Sequence, residues 1–440
     1  MNEGTSRPKL NTPRTLLIGF GFFGISVLWT LYNAYVPIFL QAGNPNFNAP
    51  GEVGFGFDPG LTGVIMTLDN IAAFFLLPAI GVWSDRIWTK LGRRMPFILV
   101  LAPISIAAFV LVPFAVNAIP AGLSGQTGML GPQLVFFMIT IGVFLTAMAA
   151  FRTPVIALMP DLTPSPLRSQ ANGIINLMGG VGTLLATLAG GLLYGVGRVV
   201  PFVFGGLVMA IAVSMLFFFV KEKKGAATEP SADEEGAADA AGALRAIKAV
   251  PQDARRSLAL LLGAIFCWFV GYNAVETFLT SYGVSELGMS MGQASLLMGV
   301  ASLAFLAFAV PAGYLSARLG RRRTIITGLT IFGSLLLFNF FLQDARLIWA
   351  VLGIGGAGWA LVNINSLPMV LDTADTDADV GTYTGFYYIA SQLAAVAGPM
   401  VNGYIVQWGG GDYNLIFIVT PFFFLLAILC MLGVTRGEAR

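Results

Sequence analysis

The chain has 440 residues, 56% of them hydrophobic and 10% charged, with a mean hydropathy of +0.80, which excludes a soluble globular protein and points to a multi-span membrane protein. The net charge of +2 gives no ground for a nucleic-acid or acidic partner. With no histidine in the chain, any proton relay must use carboxylates, helped by tyrosine or water.

In chain order, Met1 to Arg14 is polar and lacks the short apolar core and small-residue cleavage site of a signal peptide, so the first span is expected to stay in the mature protein. Apolar windows long enough to cross a hydrocarbon core of about 30 Å then recur at 16–41, 61–83, 97–117, 133–159, 170–197, 201–220, 258–281, 293–317, 324–342, 347–370, 380–407 and 415–434. With both termini cytoplasmic, 21 of the 24 lysines and arginines fall on the inner side, Arg198 and Arg346 fall outside and Arg152 lies within a span. That asymmetry supports twelve spans and this orientation together. The one long hydrophilic stretch, 221–256, is rich in Ala, Gly and Glu and reads as a flexible tether with a surface helix at 243–250. It divides the chain into six-helix bundles at 1–220 and 257–440. Cys267 and Cys430 both fall inside apolar spans, which leaves no disulfide framework and no metal spacing.

Two features indicate duplication. The loop after span two, Gly81 to Pro96, contains Ser84-Asp85-Arg86 and Gly92-Arg93-Arg94; a shortened form, Gly313 to Arg323 with Gly320-Arg321-Arg322-Arg323, follows span eight. Spans three, six, nine and twelve are almost unbroken aliphatic and aromatic runs, whereas most others carry Asn, Gln, Tyr, Thr or charge, so every third helix is expected to face lipid. Internal repeats of this kind mark secondary transporters, with solute held between the two bundles.

Three ionisable residues sit well inside apolar spans, Asp69, Arg152 and Glu276, and each costs about 2.5 to 3.5 kcal/mol at a helix centre unless it has a partner, water or a function. Asp69 and Glu276 are the candidate proton carriers; the alternatives are an ion pair of Asp69 with Arg152, and a solvated Glu276 at a cavity mouth. Arg152 offers several fixed donors to hydroxyls or to a carboxylate. Polar and aromatic pairs recur at a spacing of four: Trp29 with Asn33, Asn172 with Asn176, Trp268 with Tyr272 and then Glu276, Trp359 with Asn363, and Tyr388 with Gln392. Rings and amides at that spacing suit a hydroxyl-rich solute, while interhelical hydrogen bonding is the structural alternative. Asp85, Arg86, Arg93 and Arg94, with Asp161 and Arg168 at the next inner loop, form a candidate cytoplasmic gate, a latch made in one conformation and broken in the other.

These residues resemble the major facilitator superfamily, and within it the sucrose-transporter and glycoside-pentoside-hexuronide symporter group. Ser84-Asp85-Arg86, five residues, then Gly92-Arg93-Arg94-Met95-Pro96-Phe97-Ile98 is similar to the sucrose-transporter pattern SDR, five residues, GRRRPFI, departing only at Met95. Pro154, Ala157, Leu158, Asp161 and Leu162 match that group's P-x-x-A-L-x-x-D-L; Arg168, Ala171 and Asn172 follow, and Asn365-Ser366-Leu367-Pro368 is a weaker match. The resemblance implies a proton-coupled sugar symporter, with Glu276 near the group's seventh-span acid after a one-residue offset. Departures accompany it. Where plant sucrose transporters embed an arginine, this chain has Ile156, with Arg152 one turn earlier; the paired second-span aspartates of melibiose-type symporters are Ala73 and Leu77 here.

The sequence thus leads to a symporter of a glycoside or oligosaccharide in the cytoplasmic membrane, monomeric, without cofactor or metal. A carrier of another organic solute, such as a drug or pigment precursor, and a non-transporting receptor or assembly factor are the alternatives. No nucleophile-base pair, metal set or phosphate loop supports an enzyme.

Overall fold

A computed structural model describes residues 10–164, 167–222, 252–373 and 380–437 of the chain. The linker expected at 221–256, with its surface helix, falls almost wholly outside them. The spans are Thr12–Gln41, Pro59–Met66 with Leu68–Arg86, Met95–Asn117, Gly131–Leu162, Arg168–Tyr194, Val200–Phe219, Gln252–Ser285, Met291–Leu319, Arg321–Leu342, Leu347–Leu371, Val380–Trp408 and Ile416–Leu432. Eleven helices among the described residues are long and apolar enough to cross a membrane. Span two makes the twelfth crossing in two pieces, because the Thr67 hydroxyl and backbone N–H both donate to the Val64 carbonyl, at 2.8 and 3.1 Å, and tighten the chain into a turn there.

Helix starts follow local chemistry. Pro13, Pro59, Pro96, Pro132 and Pro201 occupy first-turn positions, where a missing N–H costs nothing. Ser290 and Gln293 form a reciprocal capping box at span eight. Asp344 accepts from the N–H groups of Arg346 and Leu347 ahead of span ten, and those bonds hold its carboxyl below the usual range.

Span one packs on spans five and six as span seven packs on eleven and twelve; three packs on four as nine packs on ten. The halves meet where span five faces span eight, span two faces span eleven and span one faces span seven. Lipid cannot drive such association by hydrophobicity, so close backbone approach does it. A Cβ on Gly63 would overlap the Pro399 carbonyl, one on Gly403 the Pro59 carbonyl, and one on Gly191 would lie 2.7 Å from the Gly292 carbonyl.

Spans three, six, nine and twelve carry outward apolar stripes, as in Ile418, Phe422, Leu425, Leu429 and Leu432 at helical spacing. Spans five and eight also expose broad apolar faces, including Leu188, Leu192, Leu303 and Val310, so lipid contact is not confined to every third helix.

Below, the face that carries Arg93 and Arg321 is termed the basic face, and the other the far face. Span eleven lies mainly against the far piece of span two, Pro59–Met66, and touches Leu68–Arg86 less. Four side-chain bonds that join the halves, Asn33 to Glu276, Tyr35 to Ser295, Gln41 to Ser281 and Asn48 to Ser285, lie from mid-bundle to the far face. Among the described residues the halves are therefore joined toward the far face, and Asn172 and Asn176, nearer the basic face, are exposed.

Candidate functional site

The central cleft is built from spans one, four, five, seven, ten and eleven. Trp29, Asn33, Tyr272, Glu276, Asn363, Tyr388 and Gln392 are half-buried, whereas Arg152, Asn172 and Asn176 are exposed. The Asn33 amide donates to a Glu276 carboxylate oxygen at 3.5 Å, which brings two predicted residues together across the boundary between the halves. One turn along span seven, Tyr272 stacks on Trp359 with ring centroids 4.1 Å apart and planes 4° apart. Trp359 is also near-parallel to Phe424, at 6.4 Å and 10°, and Phe269 meets it edge-on at 5.6 Å. At 4% exposure Trp359 is therefore a backing plate, and Tyr272 is the ring of that stack nearer the cleft.

Trp29 makes edge contacts with Tyr32 and Phe144, 5.6 and 5.8 Å between centroids. Tyr388 packs edge-on against Tyr387, whose hydroxyl lies 3.2 Å from that of Ser366. Tyr387 and Ser366, both buried, thus pack behind Tyr388, and none of Phe269, Tyr387 and Ser366 was singled out by spacing. The Asn176 amide donates to the carbonyl and side-chain oxygens of Asn172, at 2.9 and 3.0 Å. That pair sits four and eight residues, about 6 and 12 Å, from the basic end of span five, while Asn33 is eight residues from the far end of span one, so the two amide sites lie at different depths. Arg152 lies about a third of a turn from the lipid-facing stripe of Val135, Ile139 and Val143. The side chain of Asp69 is outside the described residues.

On the basic face, the second predicted cluster is a clasp. Asp161 takes Arg93 at 2.8 Å on one oxygen and Arg94 at 3.0 Å on the other. Arg94 is 1% exposed and also donates to the Ser84 hydroxyl. Its fourth member, Glu222, was not among the residues expected from the sequence. The Glu222 carboxylate, just past span six, accepts backbone N–H groups from Arg93 (2.7 Å), Arg94 (3.0 and 3.1 Å) and Met95 (2.9 Å) at the N-terminus of span three. Gly92, at φ +113°, brings the backbone over that carboxylate, where a Cβ would lie 2.7 Å from Glu222 Cβ. The only sequence signal was one acid among the lysines that follow span six. Arg86 is exposed at the end of span two; the side chains of Asp85 and Arg168 are outside the described residues. In the second half Arg321 pairs with Asp372, and Arg322 caps the last carbonyls of span twelve, Met431 and Leu432, at 2.9 and 2.6 Å.

A cleft between two six-helix halves, with related basic clasps on one face, is the architecture of solute carriers. The model of the Major Facilitator Superfamily matches residues 15–293 and 281–440. The chain belongs to the Major Facilitator Superfamily. It is a multi-pass membrane transporter and not an enzyme. Proton-associated sugar transporter A of Homo sapiens is 35% identical over 100 residues, 22% of this chain and 12% of that protein, so the chain matches about an eighth of that relative's length. Sucrose transport protein SUC4 of Arabidopsis thaliana is 26% identical over 199 residues, 43% of this chain and 36% of that one. Tetracycline resistance protein, class E, of Escherichia coli is 23% identical over 386 residues, 82% of this chain and 85% of that one. A crystal structure of a mutant of the nucleoside transporter NupG superposes with a TM-score of 0.69 at 16% identity, covering 96% of this chain and 100% of the other; at that identity the likeness is one of fold.

Proposed function

We propose that this facilitator carries a glycoside or oligosaccharide, sucrose- or maltose-like, together with protons, by alternating access in the cytoplasmic membrane. Both termini and the basic face lie in the cytoplasm, residues 1–220 and 257–440 move as the two bodies, and the carrier works as a monomer. The observation that carries the reading is the pairing at mid-bundle of a carboxylate with a cross-half amide and a stacked aromatic face: Glu276 with Asn33, and Tyr272 on Trp359. A sugar presents C–H faces to a ring and hydroxyls to amides and charged groups. Asn176, Asn363, Tyr388 and Gln392 extend the polar wall, with Trp29 as a second ring. Arg152 binds the solute or a carboxylate, and Glu276, with Asp69, carries the proton. If Arg152 pairs with a carboxylate only while that group is ionised, protonation releases the guanidinium for solute, and the two binding events share one coupling free energy. The names of the human and Arabidopsis relatives support the sugar and, for the human protein, the proton.

A second reading, transport of an amphipathic drug-like solute, is favoured by the tetracycline resistance relative, which matches over far more of its length. Uptake of radiolabelled sucrose and maltose into proteoliposomes under an inward proton gradient separates the two, with Arg152→Ala beside the wild type. Gradient-driven accumulation that the variant loses supports the sugar reading. No uptake of either sugar by folded protein, with efflux of a tetracycline-like probe, supports the second.

A further inference from the structure

The segment between spans one and two, residues 42–58, is folded onto both halves of the molecule at the far face. It is fastened to its own half at several points. Phe55, Gly56 and Phe57 donate N–H groups to the carbonyls of Phe39, Ala42 and Leu40 at the end of span one, at 3.1, 3.0 and 2.7 Å. Asn44 donates to Gly56 and Asp58, Thr127 to the Phe55 carbonyl, and Glu52 accepts from Arg198 and Tyr194, both at 2.9 Å.

Its tip reaches the other half. Pro45, Asn46 and Asn48 are exposed there, but Phe47 between them is 5% exposed, its ring edge-on to Tyr413 at 5.4 Å. Tyr413, 1% exposed, also packs against Phe278 of span seven, and its N–H donates to Glu286 at 3.2 Å. The Asn48 N–H donates to the Ser285 hydroxyl at 3.4 Å, and Gly411, at φ +89°, makes room for Asn46, whose Cβ would lie 2.7 Å from any Cβ placed there.

We propose that Phe47 is the far-face gate residue of this transporter, a positioning residue whose ring must leave its seat on Tyr413 before the halves can part on that side. The fastenings make residues 42–58 travel with spans one to six, whereas Tyr413, Phe278 and Glu286 travel with spans seven to twelve. A rocking of one half against the other that opens the far face therefore separates ring from seat, and the buried apolar surface of Phe47 holds the closed state. The inference rests on the alternating-access part of the proposed function and is independent of the solute.

The test uses spin labels at Gly128→Cys and Ala345→Cys, exposed far-face positions on opposite halves, with Cys267 and Cys430 replaced by alanine in the full chain in nanodiscs. Gly63→Trp, which cannot coexist with the Pro399 carbonyl in the closed state, serves as an opening control. The expected result is a short label distance for the parent, a long one for the control, and an open-to-closed ratio raised roughly tenfold or more by Phe47→Ala. Tyr413→Leu, which removes the seat from the other half, has the same expected effect, and Phe47→Leu an intermediate one. A control that opens while folded Phe47→Ala and Tyr413→Leu keep the parent's distances overturns the role of Phe47 and leaves alternating access standing. A control that also stays short overturns alternating access, and the gate with it.

Discussion

At the scale of single residues, the two basic clasps share a Gly-Arg-Arg signature and differ in burial. Asp161, 17% exposed, holds two guanidinia, one of them on an arginine with 1% exposure; Arg321 and Asp372 are 20% and 34% exposed. Removing one partner of a buried pair leaves a charge stranded, whereas a wetter pair is screened. Asp161→Asn is therefore expected to lower stability by about 3 kcal/mol, and Asp372→Asn by about 1 kcal/mol or less, compared by tryptophan-fluorescence unfolding in detergent. Glu222 adds a separate effect, since its charge faces three N–H groups and the positive end of a helix. Glu222→Gln is expected to cost about 1 kcal/mol and Gly92→Ala more, because the alanine meets both an unfavourable φ and the carboxylate. Equal unfolding midpoints for wild type and Gly92→Ala would show that the clasp is not formed as described.

At the scale of elements, the far face is closed by backbone-to-backbone approach of span two on eleven and of span five on eight. Such contacts have no room for side chains, so bulk introduced at them selects the other conformation instead of being absorbed. Gly403→Leu is expected to raise far-side access, read as faster alkylation of a cysteine placed at Gln41, whose side chain now bonds Ser281 at the centre of the closed interface. An unchanged alkylation rate would mean that the interface yields without parting. The twelve spans, the basic loops and the lipid stripes were legible in the sequence because hydropathy and charge are properties of short windows. The break at Thr67 was not, since a threonine within an apolar run reads the same whether its hydroxyl turns to its own backbone or to a neighbour. Glu222 and Phe47 were missed for a related reason: their partners lie 128 and 366 residues away, and neither residue type stands out in a loop.

At the scale of the whole molecule, the halves are joined from mid-bundle to the far face, and the candidate proton carrier Glu276 sits at mid-bundle, bonded across them to Asn33. Of the predicted site residues, Asn33, Glu276, Tyr272 and Trp359 come together there, while Asn176 lies nearer the basic face and Trp359 is buried among Tyr272, Phe269 and Phe424. Spacing of four finds residues on one face of one helix but carries no information on depth or on which ring a neighbouring helix covers. The placement makes Glu276 both a cross-half contact and a site within reach of the cleft, as coupling of proton to solute requires.

The most direct test of that coupling is solute-evoked proton movement, read by a luminal pH dye in proteoliposomes held at zero membrane potential. Sucrose or maltose is expected to acidify the lumen of wild-type vesicles, and Glu276→Gln to abolish the signal while still exchanging labelled for unlabelled sugar. Sugar transport by the wild type without acidification, or acidification that persists in Glu276→Gln, would contradict that expectation.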